Sequence, residues 1–569
     1  MTSNNIKKMA FQYLKGYTCS IIILLVLIIT ETIITSITPV FYGRIIDYIS
    51  LNGSKTFFYL LLLYGLMLFI SVIISSVESY ITEVLGNKIF KEYQSILFNK
   101  ILHSKFQELE KLEIGELMAH LTADLGTIIE YDISIVTTYS FIFFNFFIPL
   151  ILAVSINAEL TIFSLFFLPI SLLIYKNFKY KRKSIYKKHQ ELTDLYNSFT
   201  INILQNIPSI KSFRIESHIE AQYYKLIDKI FSIEKKRSSA DNSINFLNNA
   251  TNIIFQVSFL YLANIIVCDG KLTLGLMITL GMYINRIFTS IDMLQKVQLN
   301  EQNVLISLQR INELTELQID EQKYEPYVTD AENTIFELRI ENIYFAYNDT
   351  LDVIKDLSLS INSTGLYSII GKNGSGKSTL LKLLQCFYLP QKGNIIIHGY
   401  SYKECDIGYI RNLITYVQKE PFILKDSLLE NIRLYSNINV KVIDEYCDMV
   451  GLSSYITTLP KGIYTEISAD SLSSGQRQKL SFARALAHKA EIILFDEITS
   501  DLDGISEKIL TNIMKNLSKS AIVISISHRL QTITESDCIF VLDSGTIVDS
   551  GTFEFLKNHS NVFSELFNL

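Results

Sequence analysis

The sequence predicts an all-α membrane domain of six helices followed by a soluble α/β domain. Hydrophobic residues make up 49% of the 569 residues and charged residues only 19%, which is typical of a membrane protein and unlike a disordered chain. Six apolar runs of about 20 residues, the length that crosses a bilayer, lie in the front half. Strand-length apolar runs and glycine loops follow in the rear half. At least two domains are therefore expected.

The net charge and the cysteines exclude two kinds of function. With 51 basic and 57 acidic residues the formal net charge is −6, so no overall positive field exists to hold a nucleic acid. The 6 cysteines are scattered singly, with no C-x-x-C pair and no histidine at metal-ligand spacing. We expect no nucleic-acid partner, no zinc site and no disulfide.

The apolar runs predict six membrane spans with unequal connections. The spans are predicted at 20–41, 57–78, 134–156, 158–178, 246–268 and 272–294. The connections at 79–133 and 179–245 are long, polar and periodic as helices are, whereas the others are short. Lys and Arg are concentrated before the first span and in the two long connections. This bias predicts that both termini and both long connections are cytoplasmic.

Polar side chains inside the spans favour either a substrate-lined cavity or polar packing between helices. Glu31 in the first span and Arg286 in the sixth are the charged candidates for a cavity, because a charge in hydrocarbon is costly. Uncharged amides add a polar side to the last two spans: Asn248, Asn249, Asn252, Gln256, Asn264 and Asn285. Hydrogen bonds between helices would also explain any single one of them.

The rear half contains a phosphate-binding loop. Residues 1–310 are predicted as the membrane domain, 311–335 as an acidic linker and 336–569 as the α/β domain. An apolar strand at 366–370 leads into GKNGSGKST and then a helix, the context that a P-loop requires. Lys377 would reach the β- and γ-phosphates and Ser378 would bind Mg²⁺. The nucleotide-binding candidates here are Gly371, Asn373, Gly374, Gly376, Lys377, Ser378 and Thr379.

A second apolar strand, at 492–497, ends in two carboxylates. Asp496 is placed to hold Mg²⁺, and Glu497 can orient or deprotonate the water that attacks the γ-phosphate. An apolar strand that ends in Asp-Glu is weak evidence alone, but this one follows a P-loop within one domain. The pair predicts a P-loop ATPase domain with ATP and Mg²⁺ as cofactors.

These motifs, in this order, resemble those of the ATP-binding cassette (ABC) half-transporters of the exporter type. The resemblance implies that Tyr347 stacks on adenine and that Gln418, the Q-loop residue, is catalytic and contacts Mg²⁺. It implies that His528 contacts the γ-phosphate, so that Glu497, His528 and Gln418 are the catalytic candidates. It also identifies the D-loop residue Asp503 and a signature that acts on the ATP of a partner: Ser473, Ser474, Gly475 and Gln476.

The membrane half resembles the same family more loosely. The matching stretches are 39–47, 115–128 and 206–216, and the last two lie in the long connections. The resemblance implies that short helices at the tips of these connections dock on the nucleotide domains, with Gln418 at the joint.

Two departures from the family pattern affect the signature. Ser474 stands in place of the first glycine and adds a hydroxymethyl group where the backbone approaches phosphate. The stretch 465–471 is shorter than usual and lacks the family's Gly-Glu pair. We expect a tolerated variant. Because Glu497 and His528 are both intact, the chain does not resemble the degenerate member of an asymmetric pair.

The resemblance implies a dimer, because the signature of one cassette completes the P-loop site of another. The partner would be a second half-transporter, identical or different, with membrane lipid around both. We expect ATP-driven export by alternating access, with a peptide or toxin-like cargo preferred to a drug or a lipid. No protease-like domain precedes the first span, so processing of a leader peptide is not expected.

Two other functions stay open at this stage. One is an importer of exporter architecture with a siderophore-like cargo. The other is a non-transporting protein, either a soluble ATPase of the DNA-repair type, which the six spans oppose, or a gated channel. The abundance of Ile, Asn and Lys suggests a bacterial cell membrane as the location.

Overall fold

The chain forms two compact units. The structure, a computed structural model, describes residues 16–50, 54–112, 114–320, 337–347, 351–498, 504–527 and 529–567. The first unit contains the residues up to Asn99 and Ile114–Glu316, and the second contains Lys100–Glu113 and Leu317–Leu569. A helix runs through the predicted domain boundary at 310 as far as Glu316. A short piece of the first long connection also groups with the second unit.

The first unit is entirely helical in its described residues. Its helices, together with the short helix α3 of the second unit, are α1 (Thr18–Ser50), α2 (Ser54–Leu102), α3 (Phe106–Leu109), α4 (Ile114–Ala119), α5 (Leu125–Ile156), α6 (Ala158–Leu165), α7 (Leu168–Gln205), α8 (Ile207–Phe213), α9 (Glu216–Cys268) and α10 (Leu274–Glu316). A π-helical turn, His120–Asp124, joins α4 to α5.

Among the described residues, six stretches are long and apolar enough to cross a membrane, which confirms the predicted number of spans. They are Thr18–Ile49, Phe57–Leu102, Ile114–Ile156, Ala158–Phe178, Glu216–Cys268 and Leu274–Leu294. The second and fifth are 46 and 53 residues long. At 1.5 Å per residue they extend well past the roughly 30 Å of hydrocarbon, as the long polar connections predict.

Helix α10 packs against α1 and α5 through polar as well as apolar contacts. The fully buried Tyr283 donates a hydrogen bond to the Ser36 carbonyl oxygen of α1 (2.6 Å). Asn145 of α5 donates to Ser290 of α10 (3.0 Å). Interhelical hydrogen bonds of this kind hold membrane helices together where the hydrophobic effect does not.

In its described residues, the second unit contains three sheets. Its strands are β1 (Leu338–Phe345), β2 (Ile354–Ile361), β3 (Gly365–Ile370), β4 (Lys392–Ile397), β5 (Tyr400–Ser401), β6 (Ile414–Val417), β7 (Asp426–Ser427), β8 (Glu466–Ile467), β9 (Ile492–Asp496), β10 (Ile522–Ile526), β11 (Cys538–Asp543) and β12 (Thr546–Gly551). An antiparallel sheet has the order β2-β1-β4-β5, and a six-stranded sheet has the order β12-β11-β3-β10-β9-β6. In the latter all neighbours except β11 and β12 are parallel.

Helices cover these sheets and complete the apolar cores of the described part of the unit. They are α11 (Lys377–Leu384), α12 (Ile407–Leu413), α13 (Leu428–Arg433), α14 (Val440–Val450), α15 (Ser453–Ile456), α16 (Ser474–His488), α17 (Gly504–Leu517), α18 (Leu530–Thr534), α19 (Phe553–His559) and α20 (Asn561–Phe567). One core lies between the antiparallel sheet, α11 and the large sheet. Another packs α13, α14 and α16 on the large sheet near β9. The sheet and the helices confirm the predicted α/β domain.

Candidate functional site

Four neighbouring parallel strands bring the predicted site residues to one edge of the large sheet. Ile526 at the end of β10 pairs in register with Asp496 of β9 and with Ile369 of β3, and Val417 of β6 pairs with Phe495. The carboxyl ends of parallel strands carry the ligand sites of α/β folds. The P-loop after β3, the carboxylates after β9 and Gln418 after β6 therefore share this edge.

The P-loop depends on glycine for two different reasons. Gly374 and Gly376 have φ values of +83° and +106°, which side chains rarely adopt. Gly371 has an ordinary φ, but a Cβ there would lie 2.1 Å from the carbonyl oxygen of Leu542. The loop can therefore pass close under the neighbouring strand and still turn its N–H groups toward a phosphate.

The Lys377 side chain folds back over the P-loop and binds its backbone. Its ammonium group donates hydrogen bonds to the carbonyl oxygens of Gly371 (2.8 Å) and Lys372 (3.0 Å). Burial lowers the pKa of Lys377, while the nearby carboxylates of Glu497 and Asp496 oppose that shift. The lysine thus lies between the loop and both carboxylates predicted from the sequence.

One buried hydroxyl in the loop lacks a partner and indicates that a ligand belongs there. Within the described residues, the Ser375 hydroxyl has almost no solvent contact and makes no hydrogen bond. Ser378, two residues into α11 and next to this loop, is exposed. A nucleotide phosphate and its metal ion would supply the oxygen partners that these hydroxyls lack.

The two carboxylates differ in their surroundings. Asp496 accepts a hydrogen bond from the Tyr416 hydroxyl of β6 (2.8 Å). Burial raises the pKa of Asp496, and the Tyr416 hydrogen bond opposes that rise. Glu497 has a φ of +50°, and its N–H donates to the Ile526 carbonyl oxygen (3.0 Å). A left-handed glutamate is strained, and such strain occurs most often at functional sites.

Tyr347 presents a half-exposed ring beside the P-loop helix. Its hydroxyl lies 3.1 Å from Thr379 of α11, and its ring makes edge contacts with Phe345 and Tyr388 at 5.0 and 5.2 Å. The side chain is 41% exposed. A ring that is fixed at its edges but open on a face is suited to stacking on a base.

The signature residues form the N-terminus of α16. Ser473 accepts a hydrogen bond from the Gln476 N–H (3.3 Å), and the Gln476 side chain accepts one from the Ser473 N–H (2.8 Å), which is a capping box. Ser474 is exposed in the first helical turn and does not have a positive φ. In this structure the position does not require the conformational freedom of glycine.

Two predicted residues, Asp503 and His528, lie outside the described residues. Gln418 is exposed and lines a cavity of about 230 Å³ together with Val417, Phe422, Arg484 and His488. Arg484 stacks over the Phe422 ring, with 4.5 Å between the guanidinium carbon and the ring centre. The Q-loop residue therefore adjoins both the sheet edge and a groove along α16.

Two polar side chains of the site were not predicted from the sequence. Tyr416 contacts Asp496, but its role depends on the pairing of β6 with β9, which the sequence does not show. Lys382 of α11 places its ammonium group 5.6 Å from the centre of the Tyr347 ring. The only signal for Lys382 was its spacing of about one turn after Thr379, on the same face of the helix.

The charged candidates in the membrane unit, Glu31 and Arg286, belong to α1 and α10. Arg286 donates hydrogen bonds to Thr35 (2.7 Å) and Ser36 (3.2 Å), both on α1. The carbonyl oxygen of Glu31 accepts a hydrogen bond from the same Thr35 hydroxyl (2.8 Å). Thr35 therefore contacts both candidates.

Comparison with known proteins agrees with this architecture. The family described as ABC transporter transmembrane region matches residues 21–291, and the family described as ABC transporter matches residues 354–500. The ABC transporter ATP-binding protein exp8 of Streptococcus pneumoniae is 27% identical over 99% of this chain and 97% of its own length. The lactococcin-G-processing and transport protein LagD of Lactococcus lactis is 31% identical over 72% of this chain and 59% of its own length.

The fold also matches a solved structure over nearly all of its length. A bacterial Atm1-family ABC exporter with ATP bound superposes with a TM-score of 0.81, covering 98% of each chain at 22% identity. At that identity the likeness concerns the fold alone.

Proposed function

Because this chain belongs to the ABC transporters and is a multi-pass membrane protein whose ATPase domain drives export, we propose that two copies form one exporter with two shared ATP sites. The observation that carries the proposal is the common sheet edge where the P-loop, Asp496 and Glu497 meet in a chain with six spans. The Lys and Arg bias of the sequence supports cytoplasmic termini, and its abundance of Ile, Asn and Lys supports a bacterial cell membrane.

We assign the described residues of the proposed site to nucleotide binding and to hydrolysis. Tyr347 stacks on adenine, and the P-loop N–H groups and Lys377 hold the phosphates. Glu497 orients and deprotonates the attacking water, while Gln418 contacts the γ-phosphate region from the adjacent strand. Asp503 and His528, by the family resemblance, complete the site from the D-loop and the switch position.

The donor set fits Mg²⁺. Ser378 offers an exposed hydroxyl, Asp496 keeps one carboxylate oxygen that Tyr416 does not occupy, and Gln418 offers an amide oxygen. Oxygen ligands of this kind are the ones Mg²⁺ prefers, and the ion neutralises charge on the phosphates when bound.

A second copy would supply the signature. The capping box holds the N-terminal turn of α16 in one geometry, so that its free N–H groups can face the ATP of the partner. ATP between two cassettes would favour their closure, and hydrolysis would remove the bridging phosphate and allow reopening.

Helix α8 has the properties of a segment that docks on a partner. Ile207 and Phe213 at its two ends are 39% and 75% exposed, so this short helix presents apolar side chains that a partner could cover. The cavity beside Gln418 is lined by Phe422 and Arg484 and is large enough to take one aromatic side chain. We place α8 of one copy in this groove of the other.

The proposed cargo is a peptide, and the proposed cavity includes Glu31 and Arg286. The names of two relatives support a peptide: LagD, and the pediocin PA-1 transport and processing protein PedD of Pediococcus acidilactici, which is 28% identical over 87% of this chain. Glu31→Gln and Arg286→Gln should both change the stimulation of hydrolysis by cargo. If neither variant does, these side chains only join helices.

ATP hydrolysis by the purified chain in lipid nanodiscs tests the proposal, with Glu497→Gln as the blank. Activity above the blank would mean that two identical chains build competent sites. Bound ATP without hydrolysis would mean that a different chain supplies the second half. If Glu497→Gln retains more than about a tenth of the wild-type rate, Glu497 is not the general base. Transport of cargo into inverted vesicles distinguishes export from import.

A further inference from the structure

A row of uncharged amides runs along one face of α9. Asn242, Asn245, Asn249, Asn252 and Gln256 follow one another at spacings of three and four residues, which places them on one side of a helix. Four of them are exposed and Asn252 is half-buried. Within the described part of the chain, no hydrogen bond joins these five side chains to another residue. We call this row the amide stripe.

The amide stripe cannot face lipid. Its upper part, from Asn249 to Gln256, lies in the predicted fifth span, where hydrocarbon offers no hydrogen-bond partner. Each unpaired amide there would cost about 2 kcal/mol or more. Apolar side chains cover a neighbouring face of the same helix, where Ile253 and Tyr261 are 62% and 69% exposed. That face is suited to lipid, so the amide stripe faces something polar.

The flanking residues oppose close packing of a second helix on the amide stripe. Membrane helices that bond through polar side chains approach each other over small residues. Here Phe246 and Ile253, which border the stripe, are bulky and 71% and 62% exposed. They would hold another helix away from the amides.

The amide stripe has a beginning and an end along the span. It starts at Asn242, next to the polar second long connection, and stops at Gln256, 12 residues before α9 ends at Cys268. Beyond Gln256 the same face continues with Leu260 and Ala263, which are apolar. The stripe therefore leads about 21 Å from the cytoplasmic end to about the middle of the span.

We propose that the amide stripe binds the backbone of an extended peptide of about six residues as it enters the membrane unit from the cytoplasm. The inference rests on the proposed export function and specifies its cargo. Side-chain amides carry both donors and acceptors, as a peptide backbone does, and they impose no preference for charge. A phospholipid headgroup would require a positive charge, which the stripe lacks, and an apolar drug would leave the amides unpaired.

Binding of a capped peptide to the full chain in nucleotide-free nanodiscs tests this inference. The probe is an uncharged fluorescent hexapeptide with acetylated and amidated ends, compared with the same peptide methylated on every backbone nitrogen. The unmethylated peptide should bind about tenfold or more tightly, because methylation removes the donors. Equal binding of the two peptides, or binding of neither, would overturn the inference.

Substitutions locate the peptide on α9. Asn249→Leu, Asn252→Leu and Gln256→Leu should each weaken binding about fivefold, and Asn252→Gln should restore most of it. Asn264→Leu, an exposed amide on the same helix but outside the stripe, is the matched control and should bind as the wild type does. Unchanged peptide binding in the stripe variants would overturn the inference. Chemical cross-linking of the dimer is the second readout. If the stripe variants no longer give a cross-linked dimer, the amides contact the partner copy and the inference is also overturned.

Because peptide binding is measured without ATP hydrolysis, it tests the amide stripe separately from the proposed export function. Hydrolysis equal to that of Glu497→Gln would count against the proposed function in a homodimer even where the peptide binds. Peptide-independent hydrolysis without peptide binding would count against the amide stripe alone.

Discussion

The ammonium group of Lys382 lies 2.8 Å from the carboxylate of Glu110, which also accepts a hydrogen bond from Tyr388. Glu110 follows α3, in the segment that connects α2 to α4 along the chain. Phe106 of α3 stacks on Phe387, with ring centres 4.6 Å apart. Since Lys382 also approaches the Tyr347 ring, this segment adjoins the proposed adenine platform.

Exchanging the two charges should show whether this ion pair transmits nucleotide binding. Glu110→Lys and Lys382→Glu should each lower cargo-stimulated hydrolysis about fivefold, because like charges replace an attraction that Tyr388 reinforces. The double variant should recover at least about half of the wild-type stimulation. A double variant no better than either single one would show that the two residues act independently.

Replacing Tyr416 by phenylalanine should shift the pH dependence of hydrolysis. The Tyr416 hydrogen bond lowers the pKa of Asp496, so its loss raises that pKa further above the usual range. In the proposed site the ionised Asp496 carboxylate holds Mg²⁺, so the acid limb of the pH–rate profile should move to higher pH. The apparent Mg²⁺ affinity should weaken about tenfold. Tyr464→Phe, at an exposed site, is the control. An unmoved acid limb would mean that another group titrates.

Arg484 should be a large contributor to the stability of the ATPase unit. Its guanidinium group is buried and donates to the carbonyl oxygen of Phe422 (2.7 Å) and to the backbone and side chain of the fully buried Asn431. Arg484→Met removes all three of these donated hydrogen bonds and should cost about 2–4 kcal/mol, although the Asn431 side-chain oxygen still accepts from the Leu424 N–H (2.9 Å). Thermal unfolding of the full chain measures this, with the exposed Lys441→Met as control. Equal melting temperatures would contradict the prediction.

The sequence predicted the parts of the fold that depend on local patterns. Apolar runs of span length and the strand–loop–helix context of Lys377 are visible in one chain without knowledge of contacts. By contrast, the contact of Tyr416 with Asp496 requires the order of strands in the sheet, which hydropathy does not contain.

Contacts between distant segments were the part that could not be predicted. The position of residues 100–113 in the second unit depends on the Phe106–Phe387 stacking and on the Glu110 ion pair, across more than 250 residues of sequence. The partners of Arg286 on α1 likewise depend on helix rotation. Composition and spacing constrain neither the contacts of residues 100–113 nor the partners of Arg286.

One close helix contact in the membrane unit predicts the effect of one added methyl group. A Cβ on Gly275 of α10 would lie 2.0 Å from the carbonyl oxygen of Gly43 on α1, and a Cβ on Gly43 would lie 2.4 Å from that of Gly275. Asp47 of α1 stabilises this contact by accepting hydrogen bonds from the Gly275 N–H and the Thr273 hydroxyl, both at 2.8 Å. Neither backbone can yield without separating the two helices.

Gly275→Ala should therefore lower the thermal stability of the full chain in detergent by about 2 kcal/mol or more, since overpacking forces backbone shifts. Gly65→Ala is the matched control, because Gly65 lies within α2 and a Cβ there meets nothing within 4 Å. That variant should be neutral or slightly stabilising, because alanine favours a helix by about 1 kcal/mol over glycine. If both variants have the same melting temperature as the wild type, α1 and α10 do not pack this closely in the membrane unit.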